Sequence, residues 1–338
     1  MKPTVLITGI GGSIGAHVLA YILDNTDWDI VGIDSFHHKG LTDRIYKVLK
    51  YRLPEERVRI FTHDLTAPIS EHLVWAIGNV DYIINLASNS DVEASLKDPE
   101  GFMFNNVQLM STMLEYSRKH LPNLKAFVQF STDEVYGPSG PDGAHKEWSP
   151  ILPSNPYAAS KAMQEDMAIA AWRSFNLPLI ITNTMNNFGE MQQPAKFPAM
   201  VQSKVEKGEE VTIHGTEGDI GSRYYIHSRN TADAVLFLLK NTIPYLHIAG
   251  YIDRPDRFNI VGDRRINNLE FATLIAHLMD KNLIYRLVDF HHTRPGHDKH
   301  YGLDGTKLRE LGWVSPVSFE DSLKHTIEWQ KNHPDWLR

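Results

Sequence analysis

The feature that most constrains this chain is a glycine-rich turn that directly follows the first run of β-branched residues. Gly9, Gly12 and Gly15 come after the run Thr4-Val5-Leu6-Ile7-Thr8, and a helical pattern begins at Ala16. Glycine allows a sharp strand-to-helix turn and lets a diphosphate approach the backbone amides at the helix N-terminus. Any tight turn favours glycine, but this one has the strand–turn–helix context of a dinucleotide-binding loop. We therefore predict that this loop binds a dinucleotide.

Short apolar runs alternate with longer helical patterns up to about residue 185. The predicted strands are Val5–Thr8, Ile30–Ile33, Val58–Thr62, Tyr82–Asn85, Ala126–Phe130 and Leu179–Ile181. Strands that alternate with helices indicate a parallel sheet covered on both faces. The expected fold class is therefore α/β, with a Rossmann-type doubly wound parallel sheet.

The second half of the chain has a different character. Beyond residue 185 the pattern is irregular and richer in Pro, Gly and His. We predict a dinucleotide-binding domain over residues 1–185 and a smaller C-terminal substrate-binding lobe over residues 186–338. The lobe is expected over the carboxyl edge of the sheet, where open α/β folds bind ligands. A helical run within residues 225–240 is expected to return to the first domain.

Composition excludes several functions. The formal net charge of −7 gives no electrostatic reason to bind nucleic acid or an anionic membrane. Cysteine is absent, which excludes disulfides, thiolate catalysis and Cys-based zinc sites and fits a reducing compartment. No apolar run approaches the roughly 20 residues needed to cross a bilayer, and a core strand begins where a signal peptide would stand. We expect a cytoplasmic protein.

An acidic residue at the tip of the second strand defines the expected cofactor. Asp34 follows the glycine loop at about the spacing at which a carboxylate accepts both ribose hydroxyls and repels a 2′-phosphate. A turn or capping role is the alternative for a lone Asp, but the loop upstream favours the cofactor interpretation and NAD over NADP. Asp64, after the third strand, is expected to contact adenine or to cap its own loop.

A tyrosine and a lysine four residues apart suggest a catalytic pair. Tyr157 and Lys161 share one face of a long predicted helix. A free tyrosine has a pKa of roughly 10, so a base near pH 7 needs a nearby cation to lower it, and Lys161 is the kind of partner required. The fifth strand ends in Ser131-Thr132-Asp133-Glu134, whose alternative interpretation is a capping box from Ser131 to Glu134.

Together these motifs resemble the extended short-chain dehydrogenase/reductase family, from residue 4 to about residue 330. Within it, Ser-Thr-Asp-Glu-Val-Tyr-Gly at 131–137 is similar to the signature of nucleotide-sugar 4,6-dehydratases of the dTDP-glucose type. Arg294-Pro295-Gly296-His297-Asp298, continuing to Tyr301, and the Asn-rich segment 183–189 are similar to that group as well. Epimerases and simple reductases of this fold usually lack the adjacent Asp and Glu.

The resemblance implies a role for each catalytic side chain. Tyr157 takes the proton of the sugar 4-hydroxyl, Thr132 hydrogen-bonds the same oxygen, and Lys161 supports the tyrosine. Glu134 removes the C5 proton and Asp133 protonates the departing 6-hydroxyl, a division of labour that suits two carboxyl groups in different environments. NAD holds the hydride between its removal from C4 and its return to C6.

The remaining site residues complete the expectation. The predicted cofactor site comprises Gly9, Gly12, Ser13, Ile14, Gly15, Asp34, Asp64, Leu65, Leu86, Ala87, Tyr157 and Lys161. The predicted substrate site comprises Ser90, Asn187, Lys196, Arg223, Arg294 and Tyr301, with Arg223 and Arg294 as the arginines for the diphosphate.

The chain also departs from the group at three places expected to touch the sugar and phosphate pocket. It has Asn89-Ser90-Asp91 where Glu and His are usual, Tyr224 where Asp is usual, and Arg264 where Asn is common. The substrate is therefore dTDP-glucose by preference, with UDP-glucose and UDP-N-acetylglucosamine as alternatives and a 5,6-dehydration as a variant reaction. A 4-epimerase and a non-catalytic NAD-sensing protein are the other functional alternatives.

Two further expectations concern metal and assembly. The chain has 17 histidines, but no spacing resembles a helical metal-binding motif and the chemistry needs no metal, so none is predicted. The helix after Tyr157 carries two apolar stripes, one with Ala159, Met163, Met167 and Ala170 and one with Ala162, Ile169 and Trp172. One stripe can face the sheet and the other a partner, so we predict a homodimer through a helix bundle.

Overall fold

The computed structural model describes residues 2–38, 41–49, 56–247, 253–289 and 296–337. Its strands are β1 (Thr4–Thr8), β2 (Asp29–Asp34), β3 (Val58–Thr62), β4 (Tyr82–Asn85), β5 (Ala126–Thr132), β6 (Leu179–Thr184), β7 (Asn187–Phe188), β8 (Val211–Thr216), β9 (Asp219–Ile220), β10 (Ser222–Tyr224), β11 (Ile226–His227), β12 (Asp256–Ile260), β13 (Arg265–Asn267) and β14 (Tyr285–Val288).

The α-helices alternate with these strands in the first half of the chain. They are α1 (Ser13–Asn25), α2 (Leu41–Val48), α3 (Glu71–Ile77), α4 (Val92–Lys97), α5 (Pro99–His120), α6 (Pro156–Phe175), α7 (Phe197–Lys207), α8 (Ser228–Asn241), α9 (Asn268–Leu278), α10 (Thr306–Glu310) and α11 (Phe319–Asn332). Short 3-10 turns cover Asp133–Tyr136 and Pro334–Leu337. None of the helices in the described part of the chain is long and apolar enough to span a membrane.

The central sheet has seven strands in the order β12-β6-β5-β4-β1-β2-β3, all paired in parallel. The prediction of a doubly wound parallel sheet is confirmed, since the order 3-2-1-4-5-6 is that of a Rossmann fold. Each predicted strand is present. The structure extends β5 to Thr132 and β6 to Thr184, because these two threonines still pair with each other.

Side chains of successive strand residues enter separate cores on the two faces of the sheet. On one face Val5 and Ile7 pack with helices α1 and α8, through residues such as Leu19 and Leu238. On the other face Leu6 packs with helices α5 and α6, through residues such as Met113 and Trp172. Both faces are therefore covered, which accounts for the nearly continuous apolar runs in the strands.

The second half of the chain contributes to both parts of the molecule. A separate core joins α7, β8, α9 and α11, with Phe271 at its centre. Strand β12 instead joins the edge of the main sheet beside β6, and α8 packs on α1. The division of the chain at residue 185 stays a prediction. That β12 belongs to the main sheet was not predicted from the sequence.

Because all strands of the main sheet are parallel, their carboxyl ends lie along one edge. Thr8 pairs with Asn85 at the ends of β1 and β4, and Thr132 pairs with Thr184 at the ends of β5 and β6. The loops that leave this edge therefore converge. They position the candidate site at the point where the strand order reverses, between β1 and β4.

Candidate active site

A cavity of about 700 Å³ opens along this edge of the sheet. Every residue that was predicted for the cofactor, catalytic or substrate site and that lies in the described ranges lines this one cavity. Arg294 is the exception, because it falls outside the described residues. Segments that are separated by more than 280 residues, from Gly9 to Tyr301, thus meet at one place.

The glycine loop has a geometry that larger residues would disturb. Gly9 has a φ of 66°, in the left-handed region, and a Cβ atom there would lie 3.0 Å from Cα of Ala87. A Cβ atom on Gly15 would lie 2.2 Å from the carbonyl oxygen of Gly9. No side chain caps the N-terminus of α1, which follows Gly12. Its first backbone N–H groups therefore remain available to an anion in the cavity.

Asp34 lies at the tip of β2 and holds the neighbouring loops. Its Oδ2 accepts from the backbone N–H of Gly11 at 2.9 Å, and its Oδ1 accepts from the N–H of Phe36 at 3.0 Å. Each carboxylate oxygen has a further lone pair, so the same group can still accept ribose hydroxyls. The capping alternative and the cofactor role are therefore compatible in one side chain.

Arg44 is a cavity residue that the sequence did not reveal. Its guanidinium is buried and donates to the carbonyl oxygens of Gly11, at 2.5 Å, and Met191, at 3.0 Å. Burial lowers its pKa to about 10, and the nearby carboxylate of Asp34 opposes this. The ring centre of Trp336, close to the C-terminus, lies 5.5 Å from the guanidinium carbon of Arg44. Arg44 thereby connects the glycine loop to two distant segments.

Asp64 lines the cavity and also stabilises its own loop. Its Oδ1 accepts from both the backbone N–H and the hydroxyl of Thr66, at 2.9 and 2.8 Å. The backbone hydrogen bond from Thr66 is the largest cause of the lowered pKa of this carboxyl group. The capping role is therefore present, and contact with adenine stays a prediction.

The end of β5 places three catalytic candidates in a row. The Thr132 hydroxyl donates to Oδ1 of Asp133 at 2.9 Å and accepts from the N–H of Glu134 at 3.3 Å, so Thr132 caps the 3-10 turn. The alternative of a capping box from Ser131 to Glu134 is wrong. The Ser131 hydroxyl is buried and has no hydrogen-bond partner among the described residues, whereas Thr132 occupies the cap position.

The two adjacent carboxyl groups lie in different environments. Burial raises the pKa of both, and the neighbouring charge of Glu134 raises that of Asp133 further. Asn155 donates to Oε2 of Glu134 at 3.0 Å, and the charge of Arg223 also favours the Glu134 carboxylate. Oδ2 of Asp133 is buried with no hydrogen-bond partner in the described structure. The arrangement therefore suits a protonated Asp133 next to an ionised Glu134.

Tyr157 and Lys161 are both buried on helix α6, but their electrostatics differ from the prediction. The pKa of Tyr157 is raised, first by burial and then by the charges of Glu134 and Asp133. Burial lowers the pKa of Lys161 to about 7, and its ammonium group donates to Oε1 of Gln164 at 2.6 Å. Lys161 alone therefore does not lower the pKa of Tyr157 in this arrangement, and its role as the cationic partner of Tyr157 stays a prediction. Two nearby carboxylates and the loss of solvent outweigh one cation.

Arg223 and Tyr301 lie next to each other in the lining of the cavity. The guanidinium of Arg223 lies 4.8 Å from the centre of the Tyr301 ring. It donates to the carbonyl oxygens of Asp298, at 3.2 Å, and Lys299, at 3.4 Å. These neutral acceptors orient the guanidinium without neutralising its charge, so it remains suited to an anionic group.

Lys196, Ser90 and Asn187 line the cavity. They differ in how much of their hydrogen-bonding capacity is already used within the protein. The Lys196 ammonium lies 3.3 Å from the carbonyl oxygen of Ser90 and 3.5 Å from a carboxylate oxygen of Asp91. The amide of Asn187 is bonded inside the protein, accepting from Thr231 at 2.7 Å and donating to the carbonyl of Met185 at 2.9 Å. Substrate contacts by these side chains stay predictions.

The three departures from the dehydratase pattern do not all lie in the pocket. Asn89, Ser90 and Asp91 line the cavity. Arg264 is exposed and paired with Glu320 at 2.5 Å, and neither it nor Tyr224 is among the lining residues. The expectation that all three departures touch the pocket is therefore wrong for Tyr224 and Arg264, because β10 and the loop before β13 direct them away from it.

A buried cluster outside the cavity brings together His17, Glu190 and His227. Both imidazole Nε2 atoms lie near Oε2 of Glu190, at 3.2 Å for His17 and 3.0 Å for His227, so the set resembles a group of metal ligands. However, Nδ1 of His227 accepts the backbone N–H of Arg229. The proton of the neutral ring is then on Nε2, which cannot ligate a metal in that state. The geometry therefore fits a polar link between α1 and α8.

The chain is similar to known proteins in sequence and in structure. The model of the family described as "NAD dependent epimerase/dehydratase family" matches residues 5–249 of the chain. The chain is 30% identical to a probable dTDP-glucose 4,6-dehydratase of Sinorhizobium fredii, over 98% of this chain and 94% of that protein.

Solved structures give the same picture. A dTDP-glucose 4,6-dehydratase from Streptomyces venezuelae, solved with NAD bound, matches with a TM-score of 0.85 at 28% identity over 98% of both chains. A UDP-glucuronic acid 4-epimerase from Bacillus cereus also matches with a TM-score of 0.85, at 22% identity over 98% of this chain and 99% of that one. The second likeness concerns the fold alone.

Proposed function

The chain belongs to the NAD dependent epimerase/dehydratase family, and on that basis we propose that it is a nucleoside-diphosphate-hexose 4,6-dehydratase. The product is the 4-keto-6-deoxy sugar, and dTDP-glucose is the favoured substrate. The observation that carries this proposal is the adjacent pair Asp133 and Glu134, which lines the same cavity as Tyr157. Among these side chains, oxidation at C4 by NAD needs only the tyrosine. Loss of water needs an acid and a second base as well.

The residues at the glycine-loop end fit NAD. Gly9 and Gly15 leave a space that a Cβ atom would fill, the N-terminus of α1 offers amide donors, and Asp34 can accept ribose hydroxyls. Bound NAD supplies the acceptor for the hydride removed from C4 and returns the hydride to C6. The cofactor is therefore unchanged over one turnover.

The side chains of this protein handle the protons. Tyr157 removes the proton of the 4-hydroxyl, and Thr132 hydrogen-bonds the same oxygen. The resulting ketone makes the C5 proton acidic, and Glu134 removes it. Asp133, whose pKa is raised to about 7 by burial and by the charge of Glu134, gives its proton to the departing 6-hydroxyl. Water leaves. When the hydride returns to C6 of the 5,6-alkene, the proton held by Glu134 returns to C5, and solvent then gives a proton to Asp133 and takes one from Tyr157. The division between the two carboxyl groups follows from their different partners.

Ionisation of Tyr157 depends on charges that change when ligands bind. Burial and two nearby carboxyl groups raise its pKa. A protonated Asp133 removes one of those charges, Lys161 supplies a cation one helical turn away, and the nicotinamide ring of NAD brings a second positive charge. We infer that the tyrosine becomes an effective base only in the loaded site.

The other end of the cavity is proposed to hold the nucleotide diphosphate. Arg223 has its charge unpaired by any carboxylate in the hydrogen bonds of the described structure, and Lys196 lies on the same cavity. Arg294, outside the described residues, stays a proposed second arginine. Because Asn89 and Asp91 stand where Glu and His are usual and do line the cavity, UDP-glucose and UDP-N-acetylglucosamine remain alternative substrates.

Proton NMR with separate nucleotide sugars tests the proposal. The purified protein is incubated with dTDP-glucose, UDP-glucose, UDP-N-acetylglucosamine or GDP-mannose, with and without added NAD. A new C6 methyl doublet is expected, and the sample that contains it identifies the substrate. A sugar changed at C4 that keeps its 6-oxygen would establish an epimerase instead, and an alkene signal would establish 5,6-dehydration. No change in any sample would contradict the enzyme proposal for these substrates.

We also propose a homodimer, in which a second copy covers the outer face of α5 and α6. Phe104 on α5 is 64% exposed, and Met163 and Phe175 on α6 are 40% and 60% exposed. A groove of about 330 Å³ runs between these two helices, with Leu114 and Met167 in its wall. Two such helices from each copy would bury an apolar face that a single copy leaves in water.

Light scattering coupled to size-exclusion chromatography tests this assembly. The wild-type protein is expected at twice the monomer mass, and Met163→Lys is expected to shift it toward the monomer. Trp75→Lys is the control, because Trp75 on α3 is 81% exposed and lies on another helix. A monomeric wild-type protein would contradict the dimer. Cytoplasmic location is a further part of the proposal, and cell fractionation tests it.

A further inference from the structure

We propose that Gln164 is a positioning residue for Lys161, and that a buried chain of amides reaching back to β1 fixes the orientation of its side chain. This inference rests on the proposed function, in which the Lys161 ammonium acts beside Tyr157. Neither Gln164 nor the amides behind it belong to the motifs by which the site was predicted. All of them are fully buried.

The contact between the two residues is short and buried. Nζ of Lys161 donates to Oε1 of Gln164 at 2.6 Å, one helical turn along α6. Lys161 is 4% exposed and Gln164 is 0% exposed, so water provides little of the solvation that an ammonium group needs. A fixed carbonyl dipole in this position favours the charged form of the lysine.

The amide of Gln164 can present only its oxygen to Lys161. Its Nε2 donates to the backbone carbonyl oxygen of Asn106 at 2.7 Å, and that oxygen can only accept. Nε2 of Gln129 donates to the same Oε1 of Gln164 at 3.1 Å. Turning the amide over would place a donor against Lys161, a donor against Gln129 and an acceptor against a carbonyl. Three contacts therefore select one orientation.

The orientation of Gln129 is fixed in turn by the strands behind it. Oε1 of Gln129 accepts from Nδ2 of Asn85 at 2.8 Å, and Oδ1 of Asn85 accepts from the Thr8 hydroxyl at 2.7 Å. The Thr8 oxygen accepts the backbone N–H groups of Leu86 and Ala87, both at 3.1 Å. With these two donors bound, the hydroxyl has its proton free for Asn85 alone. The order of donors thus runs from β1 through β4 and β5 to α6.

This series of hydrogen bonds connects the proposed cofactor loop to the proposed catalytic lysine. Ala87 is the residue that approaches Gly9 in the cofactor loop, and Lys161 is beside Tyr157. Each amide in this network both donates and accepts a hydrogen bond, so the direction of each amide dipole is fixed. Its last oxygen is aimed at the ammonium group. The sheet therefore supports Lys161 through hydrogen bonds as well as through packing.

The charged and titratable groups around Lys161 are consistent with this role. Tyr157 and Glu165 lie one turn away on the same helix, and Asp133 and Glu134 line the same cavity from the turn after β5. The carboxylate of Glu165 accepts from Arg257 on β12 at 2.6 Å and from Asn183 on β6 at 2.8 Å. Its charge favours the ammonium form of Lys161 from a distance. Gln164 supplies the direct contact.

The test measures the pKa of Lys161 in the NAD-free protein by competitive labelling of its amine across pH, read by mass spectrometry. Gln164→Met removes the acceptor at similar length, and Gln164→Glu replaces it with a charged acceptor. We expect the methionine variant to lower the pKa of Lys161 by about 1 to 2 pH units and the glutamate variant to raise it. Loss of packing alone would not shift the two variants in opposite directions.

Kinetics give a second, independent result. If the ammonium form is required, the alkaline limb of the pH profile of kcat/KM follows the pKa of Lys161. It should move to lower pH in Gln164→Met and to higher pH in Gln164→Glu. At neutral pH the methionine variant should lose about 10- to 100-fold in kcat/KM. Gln330→Met is the matched control, because Gln330 is 5% exposed and its amide has no hydrogen-bond partner among the described residues.

The outcomes separate this inference from the proposed function. Equal or unchanged pKa values of Lys161 in the two Gln164 variants would overturn the positioning role, whatever the enzyme does. Opposite shifts in a protein that converts no nucleotide sugar would support the contact between Gln164 and Lys161 and contradict the dehydratase function. If the methionine variant fails to fold, the glutamate variant still tests the positioning role, because a pKa of Lys161 that is not raised in it would overturn that role.

Discussion

Asn155 donates a hydrogen bond from Nδ2 to Oε2 of Glu134 at 3.0 Å, and so ties helix α6 to the turn after β5. The same side chain caps α6, because its Oδ1 accepts the backbone N–H of Ala158 at 2.8 Å. Helix α6 carries Tyr157 and Lys161. One amide therefore fixes the proposed base for C5 relative to the proposed base for the 4-hydroxyl.

Replacing Asn155 by serine should separate these two roles. Serine keeps a capping oxygen but has no N–H group to donate to Glu134. We expect a melting temperature close to that of the wild type and a roughly tenfold lower kcat, the scale of one hydrogen bond to a charged group. The acid limb of the pH profile should move upward, since the pKa of Glu134 rises without its donor. Asp98→Ser, which changes the cap of α5 at an exposed position that does not line the cavity, is the control and should retain full activity.

Glu134→Gln and Asp133→Asn should each block loss of water while leaving C4 oxidation possible. We expect turnover to fall by about 100- to 10,000-fold, the usual contribution of a positioned acid or base. Reduced nicotinamide should accumulate in a single turnover, because the hydride has no route to C6. Absorbance spectroscopy follows the nicotinamide, and NMR follows the sugar. Full activity in both variants would favour the 4-epimerase alternative.

The buried Lys161 should make the stability of the NAD-free protein depend on pH. Burial lowers its pKa from 10.5 to about 7 in the folded protein. Between these values the unfolded chain binds the proton and the folded protein does not, so this group makes stability rise with pH from about 7 to 10.5. The gain is fully present above 10.5 and is lost progressively as pH falls from 10.5 to about 7.

Denaturation by urea at several pH values measures this contribution. Lys161→Met should remove the rise, which is on the order of a few kcal/mol across that range. Lys97→Met, at an exposed position on α4, should keep the slope of the wild type. Parallel curves for the wild type and Lys161→Met would show that the lysine keeps its ordinary pKa in the folded protein.

Gly15→Ala should damage the cofactor site directly. The added Cβ atom would lie 2.2 Å from the carbonyl oxygen of Gly9, which is backbone and cannot move aside. We expect a loss of about 1–3 kcal/mol in the free energy of unfolding and weaker NAD binding in a fluorescence titration. Gly140→Ala is the control, since the nearest atom to its added Cβ is 3.9 Å away. Equal NAD affinity in both variants would contradict the proposed role of the loop.

Sequence patterns were sufficient where the cause is local. Each strand of the first half was predicted from its own apolar run, and Gly9 and Gly15 from the turn they occupy. The seventh strand, β12, was missed because Asp256-Arg257-Phe258-Asn259-Ile260 has mixed polarity. Its polar members are buried only because β6, α6 and the loop around Glu147 supply partners.

The catalytic candidates that line the cavity were predicted from sequence, but the direction in which their pKa values shift was not. The prediction that Lys161 is the cationic partner of Tyr157 was based only on their position on one helix face. The structure adds the burial of the phenol and the carboxyl groups of Asp133 and Glu134, which act in the opposite direction. Electrostatic energy depends on every nearby charge and on access to solvent. Neither can be read from a spacing of four residues.

By itself, then, the sequence determined the parallel sheet, the cofactor loop and the residue types of the chemistry, since periodicity and motif spacing depend on neighbours a few positions away. Only the tertiary structure decided that Arg44 holds Gly11, that Gln164 faces Lys161 through a chain from Thr8, and that Tyr224 and Arg264 lie away from the cavity. These contacts join segments up to 156 positions apart (Thr8 and Gln164). Hydrogen bonds and charges act over a few ångströms, so their partners are set by the folded path of the chain.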